Sequence, residues 1–236
     1  MPKCTWLITG SSRGIGLETA KQLLASPANV VLATCRNPSQ ATALVELTES
    51  APGRLHVIEL DVTDDASVRR SVERALSIVG EGGIDYLINN AALMEGMWTV
   101  PSTMDLDALT REFQLNVLGP ARMYQAYLPL VAKSQKKTVV NVSSRLGSIG
   151  SNCGIVATTY SITKSALNML TYKEHIERPD LMIISMDPGH LKTAMGGPTA
   201  ILEVSEGVQG VLDVVGKLKE GDSGKFFNFR GELRPW

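Results

Sequence analysis

Apolar positions along the chain fall into two kinds of run. Short, nearly continuous stretches rich in β-branched residues occupy 5–9, 30–34, 55–60, 86–89, 138–142, 182–186 and 225–229. Continuous rather than alternating runs are what strands buried on both faces require. Between them, segments of helical period cover 15–26, 39–50, 65–79, 104–132, 157–177 and 204–219. This βα alternation predicts a three-layer α/β fold: a doubly wound, mostly parallel seven-stranded sheet with right-handed crossovers. Helix punctuation agrees. Asp64 ahead of Asp65 gives a cap and an acidic first turn, Pro38-Ser39 opens the second helical region, and Gly80, Gly82 and Gly83 stop the third. With no internal repeat, low-complexity tract or linker, residues 1–236 read as one domain.

Composition narrows the function. Lys and Arg number 23 against 24 Asp and Glu, a net charge of −1. That balance lacks the cationic footprint of nucleic-acid binding. Neither a membrane span of about 20 apolar residues nor a secretory leader is expected. The cysteines at 4, 35 and 153 are scattered and form no CxxC pair. Neither a disulfide framework nor a zinc site is expected, and a reducing compartment, the cytoplasm, is. His56, His175 and His190 have no metal-ligand spacing; His190 alone is a candidate for a substrate border.

Candidate chemistry begins after the first strand, at Gly10-Ser11-Ser12-Arg13-Gly14-Ile15-Gly16. Its three glycines let the backbone turn sharply and approach a pyrophosphate, with the following helix aiming free N–H groups and its positive dipole end at the phosphates. The spacing is Gly-x3-Gly-x-Gly rather than the standard Rossmann G-x-G-x-x-G, so the strand–turn–helix setting carries the assignment. A carboxylate at the end of the second strand would select NAD; here the chain reads Thr34-Cys35-Arg36-Asn37. Arg36, with Arg13 converging, offers charge-assisted donors to a 2′-phosphate, so NADP(H) is the expected cofactor. Both arginines would otherwise read as solvated surface residues.

The chain resembles the single-domain branch of the short-chain dehydrogenase/reductase family, and within it carbonyl reductases of the sniffer and C-factor type. The resemblance rests on the glycine motif, Asp61-Val62, Asn89-Asn90-Ala91-Ala92, Asn116, Ser143-Ser144, Tyr160-Ser161-Ile162-Thr163-Lys164, Pro188-Gly189 with Thr193, and the Trp236 ending. It implies a Rossmann-type fold with a cofactor half over about 1–135 and a catalytic and substrate half over about 136–236. It also implies that Asp61 and Val62 line the adenine, that Asn90 and Ala91 back the ribose and nicotinamide half, and that Pro188, Gly189 and Thr193 lie by the nicotinamide. Asn116 would hold a water in a relay from Lys164. Family members usually pair through two long helices, which makes a homodimer or homotetramer the expectation. Ala92 stands where the family usually has glycine, Ser144 lies sixteen positions before Tyr160 rather than about thirteen, and His190 and Ala194 replace Trp and Asp.

Tyr160 and Lys164 are four apart in a helical segment and so share a face. Reducing a carbonyl needs a proton donor for oxygen as hydride reaches carbon, and a free tyrosine, at about 10, is sluggish near neutrality. A cation at 4 Å supplies about 4 kcal/mol at an effective dielectric near 20, enough to acidify the phenol, while burial acts against it. Ser144 is the expected hydrogen-bond donor to the substrate oxygen, with Ser143 its competitor. Leu93, Met94, Leu146, Ile155, Val156, Leu191 and Met195 follow strand ends and predict an apolar pocket for an aldehyde or ketone. Residues 192–203 read as a short lid. The expected activity is NADPH-dependent carbonyl reduction. The alternatives are an NADP(H)-binding sensor or scaffold without turnover, and an alcohol dehydrogenase working in the oxidative direction.

Overall fold

In a computed structural model, residues 4–236 are described, with the backbone alone for 49 and 50. Seven strands form one parallel sheet with helices on both sides, in the order β3-β2-β1-β4-β5-β6-β7. The strands are β1 (Cys4–Ile8), β2 (Asn29–Cys35), β3 (Arg54–Glu59), β4 (Tyr86–Asn89), β5 (Thr138–Val142), β6 (Met182–Asp187) and β7 (Phe226–Asn228). Every residue of β4, β5 and β7 is buried, the physical reason those runs are continuous. The strand order reverses beside β1, where β2 and β4 flank it. In register there, Trp6 opposes Tyr86, and the two rings stack with centroids 3.7 Å apart.

The helices are α1 (Gly14–Leu24), α2 (Thr42–Ser50), α3 (Asp65–Val79), α4 (Leu106–Phe113), α5 (Gly119–Lys133), α6 (Thr158–Glu177) and α7 (Val204–Gly216). Asp64 caps α3 by accepting from the N–H groups of Ala66 (2.9 Å) and Ser67 (3.3 Å). Two expected helices differ. Pro38–Gln40 forms a separate 3₁₀ turn before α2. The expected helix over 104–132 is interrupted by a π-turn, Gln114–Leu118, between α4 and α5. Pro120 explains it: proline has no N–H to offer the carbonyl of Asn116 four residues back, so the α ladder cannot continue unchanged.

The chain makes two compact units. One comprises the chain up to Ala91 with Arg122–Val140, the other Ala92–Ala121 with Asn141–Trp236. In the first, Tyr127 is fully buried and shares a 2.8 Å hydrogen bond with Ser71 of α3. In the second, Phe226 of β7 stacks on Trp236, whose carbonyl accepts the Gly150 N–H at 2.9 Å. No helix among the described residues is long and apolar enough to cross a membrane.

Candidate active site

In the first unit the glycine turn lies flat on the chain after β4. Gly10 and Gly14 have φ of 70° and 58°, the left-handed region that glycine enters without penalty. A Cβ on Gly10 would come within 2.9 Å of Ala91 Cα, and one on Gly16 within 2.7 Å of Asn90 Nδ2. Thr9 holds this contact: its Oγ1 accepts the N–H groups of both Asn90 and Ala91 at 3.0 Å. The Asn90 amide in turn donates to the carbonyls of Thr9 (2.8 Å) and Gly10 (3.2 Å). Asn90 and Ala91 therefore brace the turn itself.

The start of α1 suits an anion. Arg13 is extended there, no side chain caps the helix, and its first turn holds no acidic residue. Orphan N–H groups and the positive dipole end are left for a phosphate. Ser12, Arg13 and Arg36 are exposed, and neither guanidinium has a hydrogen bond or ion pair among the described residues. Beyond β3, Asp61 spends one carboxylate oxygen on the N–H (2.9 Å) and hydroxyl (2.6 Å) of Thr63, while Val62 is buried. These residues fit a 2′-phosphorylated dinucleotide: glycines for close approach, an uncapped helix for the pyrophosphate, and two unpaired cations.

The second unit holds the proton-transfer candidates. Tyr160 and Lys164 are buried on α6. Lys164 Nζ donates to the Val142 carbonyl at the end of β5 (2.7 Å) and lies 5.4 Å from the centre of the Tyr160 ring. Past β5, the two serines separate. Ser143 is buried and donates to Asn168 Oδ1 at 2.6 Å, whereas Ser144 is partly exposed and caps a 3₁₀ turn at Arg145–Gly147 through the Leu146 N–H, 3.2 Å away. That turn is pressed on α6. A Cβ on Gly147 would meet the Lys164 carbonyl carbon at 2.6 Å, and the Gly147 carbonyl accepts from Ser165 (2.9 Å) and Asn168 (3.1 Å).

Asn116, fully buried in the π-turn, accepts the Leu93 N–H (2.8 Å) and donates to the Leu93 carbonyl (2.8 Å) and to Thr163 Oγ1 (3.0 Å). Both amide protons are spent. The Thr163 hydroxyl donates to the Tyr160 carbonyl at 2.8 Å. Further along the same loop, the carbonyls of Met97 and Thr99 accept the N–H groups of Ala157 (2.8 Å) and Thr158 (3.3 Å). Ala157, at the head of α6, is held in the left-handed region (φ 53°) and fully buried. A non-glycine residue there costs roughly 1–2 kcal/mol, which the surrounding bonds offset.

Electrostatics reverse one expectation. The Tyr160 phenol is pushed above its ordinary value, first by burial and then by the negative charges of Asp187 and Glu112. Burial also drives Lys164 down to about 7, with Glu112 acting in the opposite sense. In the protein alone the phenol is thus not acidified: desolvation dominates, and it weakens the charge of the neighbouring amine as well. A phenol held protonated at neutral pH is the form that can give a proton away.

Around this cluster the loops are apolar but not uniformly pocket-forming. Ile155 and Met195 are exposed (68% and 37%) and Leu93, Met94, Leu146 and Val156 half-buried, whereas Leu191 is core, 2% exposed and bridged to Leu202. Its alternation with polar neighbours does not reveal that it faces inward. The 192–203 segment is tied at its base by the Lys192 N–H to the Leu202 carbonyl (2.9 Å) and by a Lys192–Glu203 ion pair. His190 braces this segment through Gly196 O, 2.8 Å away, and Thr193 Oγ1 accepts the Gly196 N–H at 3.0 Å. Just after β6, Pro188 is buried and Gly189 takes φ 90°. Asp187 before them accepts from Arg234 at 2.5 Å. Sequence reasoning missed Thr9, Gly147 and Glu112, and the bonds that Thr163 makes within its motif. Only Gly147, a lone glycine following the serine pair, left a visible trace.

A family model for short chain dehydrogenases matches residues 5–201. The chain belongs to that family of oxidoreductases. An uncharacterised oxidoreductase of Schizosaccharomyces pombe is 32% identical over 98% of this chain and 97% of its own length. Among solved structures, the NADPH-bound carbonyl reductase from chicken fatty liver is similar with a TM-score of 0.93 and 31% identity, covering 100% of both chains. The carbonyl reductase Sniffer of D. melanogaster is similar with a TM-score of 0.92 and 30% identity, over 99% of this chain and 100% of its own.

Proposed function

We propose that this protein is an NADP(H)-dependent carbonyl reductase that converts an aldehyde or ketone to an alcohol, with Tyr160 as the general acid. The observation that carries the reading is the clamp of the Ser144 turn on α6 through Gly147, beside Lys164 and one helical turn from Tyr160. It brings a free hydroxyl, a buried phenol and a buried amine onto one support. The chicken liver enzyme, so similar over its whole length, is NADPH-bound, which supports the choice of cofactor.

In this reading Gly10, Ser12, Gly14, Ile15 and Gly16 cradle the pyrophosphate, and Arg13 and Arg36 take the 2′-phosphate. Asp61 and Val62 border the adenine, Asn90 and Ala91 keep the turn in shape, and Pro188, Gly189 and Thr193 flank the nicotinamide. When bound, NADPH supplies the hydride. Ser144 Oγ donates to the carbonyl oxygen of the substrate, and Tyr160 Oη gives that oxygen its proton. Lys164 steadies the resulting phenolate, and Asn116 supports the relay that reprotonates it. Its side-chain protons being spent, a water there falls to its backbone carbonyl, which Pro120 leaves without an α-helical donor. An apolar substrate suits the exposed Trp98, Ile149 and Ile155 on the surrounding loops.

The chain acts as one domain in a reducing cytoplasm, in keeping with three cysteines that form no disulfide. It self-associates through the exposed Ile162, Met169, Tyr172 and Ile176 of α6. The decisive experiment is a panel of aldehydes and ketones incubated with NADPH or NADH. Oxidation of NADPH that Tyr160→Phe abolishes is the expected result; tight NADPH binding without turnover of any carbonyl rejects the proposal.

A further inference from the structure

Glu112 lies on α4 one helical turn before Asn116, and its side chain is fully buried. Oε1 accepts the Glu95 N–H at 2.7 Å; Oε2 is buried without a hydrogen-bond partner, and so is Oγ1 of Thr159. Two pairs of residues one turn apart face each other here. Asn116 reaches Thr163 at 3.0 Å, and one turn earlier the Thr159 hydroxyl faces Glu112 and favours its ionised form. Tyr160 directly follows Thr159, and Lys164 directly follows Thr163. Glu112 therefore stands behind the phenol and amine to which the reaction has been assigned.

Anchoring one N–H does not explain a buried carboxyl. A glutamine amide oxygen would accept the same bond without the desolvation cost of a charge. The charged groups around Glu112 are few. Burial is the largest influence and raises its carboxyl; the Glu95 N–H, the Thr159 hydroxyl and Arg111 pull it back down, and the Glu95 charge raises it. Arg111 is half-exposed and engaged with Glu95 through two nitrogens, at 2.6–3.2 Å. From α6 come Tyr160 and Lys164, both in electrostatic contact with Glu112. The hydrogen bond that Lys164 makes is to a neutral carbonyl, and burial drives its amine toward the uncharged form. Glu112 is the charge that opposes this.

We propose that Glu112 is a positioning residue that acts through Lys164: its carboxylate is the buried counter-charge that keeps the amine an ammonium. The role rests on the reading of Tyr160 and Lys164 as the proton-transfer pair, but its first test does not. In protein carrying ¹³Cε-lysine, the Lys164 resonance is identified by its loss in Lys164→Met and titrated in wild type and in Glu112→Gln, without cofactor. Losing a nearby opposite charge lowers the midpoint by about half a pH unit or more. Coincident midpoints overturn the proposal. A second uncharged variant, Glu112→Met, decides the matter if Glu112→Gln does not fold. The alkaline limb of kcat/KM for carbonyl reduction then moves to lower pH in the same variant. A limb that stays put while the resonance midpoint moves overturns the role in the reaction. Absence of turnover in wild type removes the carbonyl-reductase reading and leaves the resonance titration as a test of the ion pair.

Discussion

Ser143 donates its hydroxyl to Oδ1 of Asn168 across 2.6 Å, and both side chains are buried. Its successor Ser144 has only the Leu146 N–H against its oxygen, 3.2 Å away, leaving its proton free. The two serines should therefore fail differently. Ser143→Ala strands a buried carbonyl oxygen at a cost of about 1–3 kcal/mol. By the usual scaling for this size, the melting temperature falls by roughly 3–10 °C. Ser144→Ala removes a donor to the developing oxyanion, and kcat falls by about 10²–10³ with the melting temperature nearly unchanged. Thermal melts beside steady-state rates separate them; the reverse pattern would make Ser143 the donor.

Gly147 tests the clamp. A methyl group there would come within 2.6 Å of backbone and 2.7 Å of the Cβ of Lys164, and neither can swing aside. Gly147→Ala should cost about 1–3 kcal/mol of stability, as overpacking does. Because the turn carries Ser144, kcat should also drop at least about tenfold, since small misplacements of reacting groups are costly. A variant of full activity would show that the turn does not set the serine.

Arg36 and Arg13 are exposed, with unpaired guanidinium groups. Arg36→Ala should weaken NADPH binding by about tenfold or more, the value of a charge-assisted contact, and leave NADH binding unchanged. Fluorescence titration of each dinucleotide measures both. Equal losses for the two would mean that Arg36 does not read the 2′-phosphate.

Glu174 carries a pH dependence distant from the reaction chemistry. It is buried beneath β5, accepts from the Asn141 amide at 3.0 Å, and has its second oxygen unpartnered. Burial raises its carboxyl from 4.5 to about 8. Between those values the folded chain holds a proton that the unfolded chain has released, so the stability contribution declines as pH rises through that window and levels off above about 8. Glu174→Gln removes this dependence. It should melt with wild type near pH 5 and a few degrees higher near pH 8, at about 2–4 °C per kcal/mol. A constant difference across the range would reject it.

Trp98 is 74% exposed, yet its neighbours' carbonyls are bonded to the first residues of α6. An exposed indole on backbone tied to the start of α6 should stack on aromatic carbonyls. Trp98→Ala should lower kcat/KM roughly 3–10-fold for aryl ketones, the worth of one aromatic contact, and spare short aliphatic aldehydes. Equal effects on both would exclude stacking.

Sheet and helices were legible because burial on both faces, as in β4 and β5, writes itself as a continuous apolar run. Asp64 and Gly80 marked α3 by chemistry that acts within a few residues. The break at Gln114–Leu118 was legible in principle, since Pro120 cannot serve the Asn116 carbonyl, but helical period alone runs through it. Leu191 was misread for a related reason: an apolar residue after a strand end fits core or pocket equally well. The negative charges around Tyr160 lay beyond reading, because Glu112 and Asp187 are far from it along the chain.

By itself, then, the order of residues determined what local physics can encode: which segments are strands or helices, where the backbone must turn on glycine, and that a phenol and an amine share one helical face. Tertiary structure alone decided which serine keeps its proton free, what Asn116 spends its amide on, and whether burial or charge governs Tyr160. Those outcomes depend on distances and desolvation between groups remote in sequence, quantities that exist only once the chain has packed.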